Sequence, residues 1–321
     1  MAQLDKVAYI FPGQGSQKVG MGRDLYRSYP VAREVFDEAD RILGFSLSRL
    51  CFEGPEEMLT DTVNAQPAIF ATSMACWRAL GSVLPEGFFV ASFVAGHSMG
   101  EYSALAAAGV LDFVEGLKLV RERGRLMKLA GRRSPGGMAA ILGLDDVAVD
   151  GVCQQARDER GAIIQVANYN APGQIVISGD KGALERAMSL AREAGARKVV
   201  RLAVSIAAHS PLMACIADEF RQAVEATPLH NPAVPVVANI TASPLVSVTA
   251  VRNEMVGQLT SPVRWVASMQ YLLNEGVTTF FELGPAAVLT GLLKRIDRSA
   301  RRVNVRNATD LQKLVGGLAE G

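Results

Sequence analysis

Short apolar runs alternate along this chain with longer stretches in which apolar residues recur every three or four positions. That pattern predicts an α/β fold, with buried strands joined by amphipathic helices. The first run, VAYIF at 7–11, reads as a buried strand that passes into a glycine-rich turn, PGQGSQ at 12–17. Helical periodicity follows over 23–50 and 67–81. The second of these helices has a start signal at 64–67, with Pro67 in its first turn. An apolar strand at about 89–95 then reaches Gly-x-Ser-x-Gly at 96–100. A small-residue helix begins directly after it and ends at Gly109, and a further helix spans 112–130.

Residues 132–205 follow a different rhythm. A strand at 138–144, a helix at 145–160 and strands at 163–168 and 174–180 are followed by a strongly amphipathic helix at 181–196 and a strand at 198–204. The order βαββαβ is the split pattern of a ferredoxin-like unit. The expected layout is therefore an α/β-hydrolase-like body from 1–131 and 206–321, interrupted by a ferredoxin-like subdomain at 132–205. After His209 the body continues with a helix at 211–227, a strand at 234–240, helices at 249–259 and 265–275, and a strand at 278–283. The basic segment at 294–310 reads as a solvated helix face and a last strand.

Composition narrows the function classes. Hydrophobic residues are 49% of the 321, which excludes a disordered chain. With 33 basic and 32 acidic residues the net charge is +1, which argues against a general nucleic-acid binder. A local basic patch could still receive an acidic protein. Cys51, Cys76, Cys153 and Cys215 are far apart and form no CxxC pair, so they read as buried apolar thiols rather than metal ligands or disulfides. The N-terminus lacks a signal-peptide layout. The apolar region 88–114 is interrupted by His97, Glu101, Asp112 and glycines, so it does not read as a membrane span. A cytoplasmic monomer without membrane or nucleic-acid contacts is expected.

The candidate chemistry centres on Ser98. A strand, Gly-x-Ser-x-Gly and a helix form the context of a nucleophile elbow: the tight turn exposes the serine, and the helix start aims free N–H groups at the reacting oxygen. The N–H of Met99 is therefore a candidate oxyanion donor. A serine needs a base, and the chain has three histidines. The His97 side chain should diverge from Ser98 at a sharp elbow, which suits packing or hydrogen bonding. His230 lies in a proline-flanked loop and reads as a surface residue. His209 follows a strand end and precedes a helix start, the kind of place where α/β sites form, and is preferred as base. No acidic residue stands out as a third member, which leaves a backbone carbonyl or amide as a candidate for orienting His209.

The segments FPGQGSQ (11–17), GHSMGEYSALAAAGVLDF (96–113), RERGRLM (121–127), ANYNAPGQIVISG (167–179), AAHSPLM (207–213), GQLTSPVRW (257–265) and ELGPAAVLTGLLKRI (282–296) occur in that order. Together they closely resemble the malonyl-CoA:acyl carrier protein transacylases of type II fatty acid synthesis, to which polyketide synthase acyltransferase domains are related. The resemblance implies Ser98 as nucleophile, His209 as base and Arg123 as the clamp for the substrate carboxylate. It gives Gln258 a supporting role through its backbone carbonyl, and Gln14 the second oxyanion N–H beside Met99. Residue type alone does not separate Arg123 from Arg121 or Arg125, although a planar guanidinium suits a terminal carboxylate. The implied partners are malonyl-CoA and an acidic acyl carrier protein, with no cofactor or metal. Ala208 departs from related domains, where malonyl-selective members often carry Phe and methylmalonyl-selective ones Ser, so selectivity against a methyl branch stays open. The alternatives are a freestanding acyltransferase serving polyketide carrier domains and an acyl-thioester hydrolase.

Overall fold

The computed structural model describes residues 6–84, 90–157 and 161–319. Its strands are β1 (Lys6–Phe11), β2 (Ala91–Gly96), β3 (Gly136–Leu142), β4 (Ile164–Ala171), β5 (Gln174–Asp180), β6 (Lys198–Arg201), β7 (Val236–Val237), β8 (Pro244–Leu245), β9 (Val277–Leu283) and β10 (Arg301–Val305). They form a six-stranded sheet in the order β10-β9-β1-β2-β7-β8 and a four-stranded sheet in the order β4-β5-β3-β6. The α/β class read from the hydrophobic pattern is borne out.

The larger sheet is parallel except at the β7–β8 pair. Strand β1 lies inside it and is apolar on both sides. Val7, Tyr9 and Phe11 enter one apolar cluster with Ile69, Phe70, Leu117 and Val120, from helices Thr62–Val83 and Phe113–Arg133. Ala8 and Ile10 enter another with Trp265, Met269 and Leu292, from helices Trp265–Asn274 and Val288–Ile296. Burial on both faces is why this strand is a continuous apolar run rather than an alternating one. The parallel strands β1, β2 and β7 end on the same edge, so the turns after Phe11, Gly96 and Val237 converge there.

The smaller sheet is antiparallel, and helices Asp146–Ala156 and Lys181–Glu193 supply its apolar cover. Strand β4 ties it to the rest of the molecule. The N–H of Tyr169 donates to the carbonyl of Val263 at 2.9 Å, and the N–H of Val263 to that of Ala167 at 2.8 Å.

Several elements differ from their sequence-based expectations for local reasons. The helix expected at 23–50 is three helices, Arg23–Ser28, Pro30–Leu43 and Leu47–Glu53. Pro30 begins the second, and Gly44, at φ 71°, ends it. The helix expected from residue 67 begins at Thr62, because Asp61 caps it by accepting from the N–H of Val63. Pro67 is therefore interior to the helix. The Val63 carbonyl that loses its Pro67 donor accepts from Arg121 Nη1 at 2.8 Å. The strand at 234–240 shortens to β7 because the N–H of Asn239 leaves the ladder and donates to Glu101 Oε1. The strand at 198–204 stops at Arg201, and the helix at 211–227 starts as a 3₁₀ turn over Pro211–Ile216. Strand β2 starts at Ala91, whereas residue 89 lies outside the described residues. The helix expected at 145–160 covers Asp146–Ala156, and residues 158–160 also lie outside them. Helix Ala308–Ala319 had no expectation. Of the four cysteines, Cys51, Cys76 and Cys153 are buried, but Cys215 is exposed on the 3₁₀ turn, correcting its reading as a buried thiol. Among the described residues no helix is long and apolar enough to cross a membrane.

The convergence of strand ends depends on close backbone approach. A Cβ on Gly100 would lie 2.0 Å from the carbonyl oxygen of Phe11, at the end of β1. Gly100→Ala is expected to cost at least ~1–3 kcal/mol, the usual range for overpacking. Urea unfolding should show it as a lower midpoint at an unchanged slope.

Candidate active site

Ser98 sits on the turn between β2 and helix Gly100–Ala107, at φ 51° in the left-handed region. A non-glycine residue held there stores strain, of order 1–3 kcal/mol. The turn is tight enough that a Cβ on Gly96 would fall 2.0 Å from the backbone of Gly100. The N–H of Ser98 donates to Asn239 Oδ1 at 2.7 Å, which anchors the turn to the end of β7.

His209 also has positive φ, 58°, and is buried. Its Nε2 lies 2.8 Å from Ser98 Oγ. Its Nδ1 faces the carbonyl oxygens of Gln258 at 2.8 Å and Ser261 at 3.2 Å. Both are acceptors, so Nδ1 carries the proton and Nε2 presents its lone pair to the Ser98 hydroxyl. Gln165, from β4, donates through Nε2 to the His209 carbonyl at 2.8 Å, so the smaller sheet helps hold the histidine backbone. Burial pulls the His209 pKa down to about 3, helped by the positive charge of Arg123.

Arg123 projects from helix Phe113–Arg133 and is 1% exposed. Its Nη1 donates to Gln66 Oε1 at 2.9 Å, and its Nη2 to Gln258 Oε1 at 2.9 Å and Ser98 Oγ at 3.2 Å. The guanidinium carbon lies 5.4 Å from the centre of the Tyr102 ring, and Nε is buried without a hydrogen-bond partner among the described residues. Among the described residues no carboxylate forms an ion pair with it. Burial lowers its pKa, and the charge of Glu101 opposes that. The two neighbouring arginines point elsewhere. Arg121 is held by the Val63 carbonyl and Asn64 Oδ1, and Arg125 pairs with Glu122 at the surface.

The remaining sequence candidates fall around this cluster. Gln14 follows β1, and its Oε1 accepts from Thr62 Oγ1 at 2.7 Å. The backbone N–H groups of Gln14 and Met99 have no hydrogen-bond acceptor among the described residues. Gln258 meets both other groups, His209 with its carbonyl and Arg123 with its side chain. His97 turns away from Ser98, with Nε2 2.7 Å from Asn170 Oδ1 and its ring 5.5 Å from that of Trp265. His230 is exposed. A cavity of about 430 Å³ opens over the cluster, lined by Gln14, Ser98, Arg123, Ala208 and His209, with Met138 and Val176 contributed by the smaller sheet. No group of three or more His, Cys, Asp or Glu residues among the described residues could hold a metal ion.

Sequence reasoning left three polar residues behind the cluster without a role. Asn239 holds the Ser98 N–H, Glu101 holds Asn239 and Gln258, and Glu254 lies beside Glu101. Glu101 stands in the Ser98 motif itself. A carboxylate in the apolar helix start GEYSALAA was the available signal.

A strand-turn-helix serine paired with a buried histidine, on the strand-end edge of a parallel sheet, defines an α/β protein of the Gly-x-Ser-x-Gly class. The acyl transferase domain family matches residues 8–317, and the chain belongs to that family. The malonyl CoA-acyl carrier protein transacylase of Bacillus subtilis strain 168 is 42% identical over 317 residues, covering 99% of this chain and 98% of that one. The solved malonyl-CoA:acyl carrier protein transacylase of Xanthomonas oryzae pv. oryzae is 41% identical with a TM-score of 0.92, covering 99% of each chain. A malonyl transacylase solved in complex with its type II polyketide acyl carrier protein is 40% identical with a TM-score of 0.92, covering 97% of this chain and 99% of that one. The family resemblance read from the motifs is borne out.

A base with a depressed pKa stays unprotonated at lower pH. Because His209 is pulled from 6.5 to about 3, the acid limb of kcat/KM is expected well below pH 6.5. A half-maximal point at 6.5 would instead indicate a solvated imidazole, so a pH–rate profile decides the matter.

Proposed function

We propose that this chain transfers a malonyl group from malonyl-CoA to the phosphopantetheine thiol of acyl carrier protein, through a malonyl ester on Ser98. The observation that carries this reading is the Arg123 guanidinium, buried, 3.2 Å from Ser98 Oγ and without an ion-pair partner among the described residues. A cation so placed selects an acyl group that ends in a carboxylate. His209 Nε2 takes the Ser98 proton as Oγ attacks the thioester carbonyl. The N–H groups of Gln14 and Met99 receive the oxyanion. As the carbon–sulfur bond breaks, His209 returns the proton to the departing CoA thiolate, leaving malonyl-Ser98. In the second half, His209 takes the proton of the carrier thiol, whose sulfur attacks the ester, and returns it to Ser98 Oγ. The Gln258 carbonyl holds the His209 tautomer throughout, the part an aspartate plays in a serine triad. No cofactor enters any step.

Acyl carrier protein and malonyl-CoA are the partners in this reading, and the setting is the cytoplasm. Residues 1–131 and 206–321 act as the catalytic body, and 132–205 as a subdomain that closes the cavity. Fatty acid synthesis is the first assignment. The solved relative that binds a type II polyketide carrier supports a second, in which the chemistry is unchanged and the carrier differs. Mass spectrometry of carrier incubated with enzyme and malonyl-CoA tests the reaction. A malonyl gain on the carrier is expected, with free malonate alone pointing to hydrolysis. Ser98→Ala should abolish both acyl-enzyme and carrier loading. A malonyl mass on that variant would move the nucleophile elsewhere.

Arg123→Ala should reduce kcat/KM for malonyl-CoA by roughly 10–100-fold more than for acetyl-CoA, since hydrogen bonds to a charged group contribute ~1.5–3 kcal/mol and acetyl has no carboxylate. Equal losses for both substrates would make Arg123 structural.

A further inference from the structure

We propose that Glu101 and Glu254 form a buried, proton-sharing carboxyl pair that serves as the distant counter-ion of Arg123 and positions it through the side-chain amide of Gln258. This rests on the reading of Arg123 as the clamp for the acyl carboxylate.

Both carboxyls are enclosed, Glu101 at 0% exposure and Glu254 at 5%, and they accept from the consecutive N–H groups of Asn239 and Ile240, which sets them side by side. Two neighbouring buried carboxyl groups bind each other only if one keeps a proton. Burial pushes Glu254 up to about 7, and burial together with Glu254 raises Glu101 well above the ordinary carboxylate range. The pair therefore keeps a proton at neutral pH. The donors around it locate the charge. Glu101 Oε1 accepts from the Asn239 N–H at 2.8 Å and from Asn239 Nδ2 at 3.0 Å, while Oε2 accepts from Gln258 Nε2. Glu254 Oε1 accepts from the Ile240 N–H at 2.9 Å. Three N–H donors converge on Glu101 and one on Glu254; on these contacts the shared proton is placed toward Glu254, although burial and the neighbouring Glu254 also push Glu101 upward.

From Glu101 the contacts lead to the reacting groups. Holding Gln258 by its NH₂ end leaves Oε1 to face Arg123 Nη2. Holding Asn239 by its NH₂ end leaves Oδ1 to face the Ser98 N–H. The amide of Gln258 keeps the counter-charge one side chain away from the guanidinium. A carboxylate in direct contact would occupy the donors that a substrate carboxylate needs, and no counter-charge at all would leave a buried cation uncompensated.

A Glu101→Gln change shows which contact depends on the charge. The Asn239 backbone N–H cannot turn, so the new amide must keep its oxygen there and point its NH₂ at Gln258. Gln258 must then flip, and its NH₂ confronts Arg123. The mismatch is passed to the arginine; the flip also takes the Gln258 Nε2 donor from the Ser98 carbonyl, 3.1 Å away, and spares the Asn239 bond to the Ser98 N–H. In Glu254→Gln the Ile240 N–H likewise fixes the oxygen, and the NH₂ donates to Glu101 as the shared proton did.

The test compares kcat/KM for malonyl-CoA and acetyl-CoA in wild type, Arg123→Ala, Glu101→Gln and Glu254→Gln. Ser98 labelling by a sulfonyl fluoride and thermal midpoints are measured alongside. Glu101→Gln is expected to lower the malonyl-to-acetyl ratio by roughly 10–100-fold, the effect of a lost charged-group hydrogen bond, with labelling falling less than the ratio because Asn239 still holds the Ser98 N–H. Glu254→Gln is expected to keep the ratio within about threefold of wild type, because its amide preserves the donor. An unchanged ratio in Glu101→Gln, or equal loss of both substrates and labelling, overturns the proposal if Arg123→Ala remains malonyl-selective. A large ratio loss in Glu254→Gln overturns the placement of the proton. If Glu101→Gln does not fold, Gln258→Met decides: it removes the amide and keeps the carbonyl that holds His209, and an unchanged ratio overturns the relay. If Arg123→Ala itself shows no selectivity, the clamp reading fails first and this relay with it, and the two failures remain distinct.

Discussion

The site is organised around a guanidinium buried without a carboxylate beside it. Moving such an ion out of water costs several kcal/mol even after relaxation, and that cost must be offset locally. Here the offset comes from two amide oxygens, Gln66 Oε1 and Gln258 Oε1, and from the Tyr102 ring. Each arrives on a different element: Gln66 on helix Thr62–Val83, Tyr102 on the helix after the elbow, and Gln258 at the end of helix Val248–Gly257. Packing those helices correctly is therefore a condition for burying the arginine. The incomplete satisfaction of Arg123, with Nε unpartnered, favours an incoming carboxylate.

The same economy governs the sheet edge. Parallel strands β1, β2 and β7 deliver Gln14, Ser98 and Asn239 to one line, and glycines at 96 and 100 let the backbones approach closely enough for the serine turn to be held by Asn239 at its N–H and Gln258 at its carbonyl. Asn239 leaves its strand to do this, which shortens β7 and exchanges ladder hydrogen bonds for bonds to Glu101. A buried carboxyl takes over the accounting of backbone donors that a longer strand would have satisfied.

Much of this was legible from the chain, and the parts that were not share a cause. Apolar runs located β1, β2 and β9 because these strands are buried on both faces. Periodicity located Lys181–Glu193 because that helix is apolar on one side alone. Helix ends were misplaced where a side chain outside the apolar pattern decided them, as Asp61 does for Thr62–Val83. In the site, Ser98 announced itself by local spacing, and His209 emerged by elimination among three histidines. Arg123 could not be separated from Arg121 and Arg125 by residue type. The three differ only in which helix face they occupy and what lies opposite, and that is tertiary information. Glu101, Asn239 and Glu254 meet across more than 100 residues of sequence, through pairings such as Glu101 with Asn239, 138 positions apart, which no local pattern encodes.

The choice of a carbonyl rather than a carboxylate beside His209 follows from the arginine. A carboxylate at Nδ1 would stabilise the imidazolium and raise the base's pKa. It would also stand within a side chain's length of Arg123, because Gln258 touches both groups. The two would attract, and Arg123, the proposed clamp, would be engaged before substrate arrived. A neutral acceptor fixes the tautomer without drawing the cation away. The consequence is a weakly basic histidine, which suits a reaction in which the attacked group is an activated thioester or an ester and the departing thiolate is a good leaving group. Negative charge is instead kept behind the amide of Gln258, near enough to offset the buried cation and too far to replace the substrate.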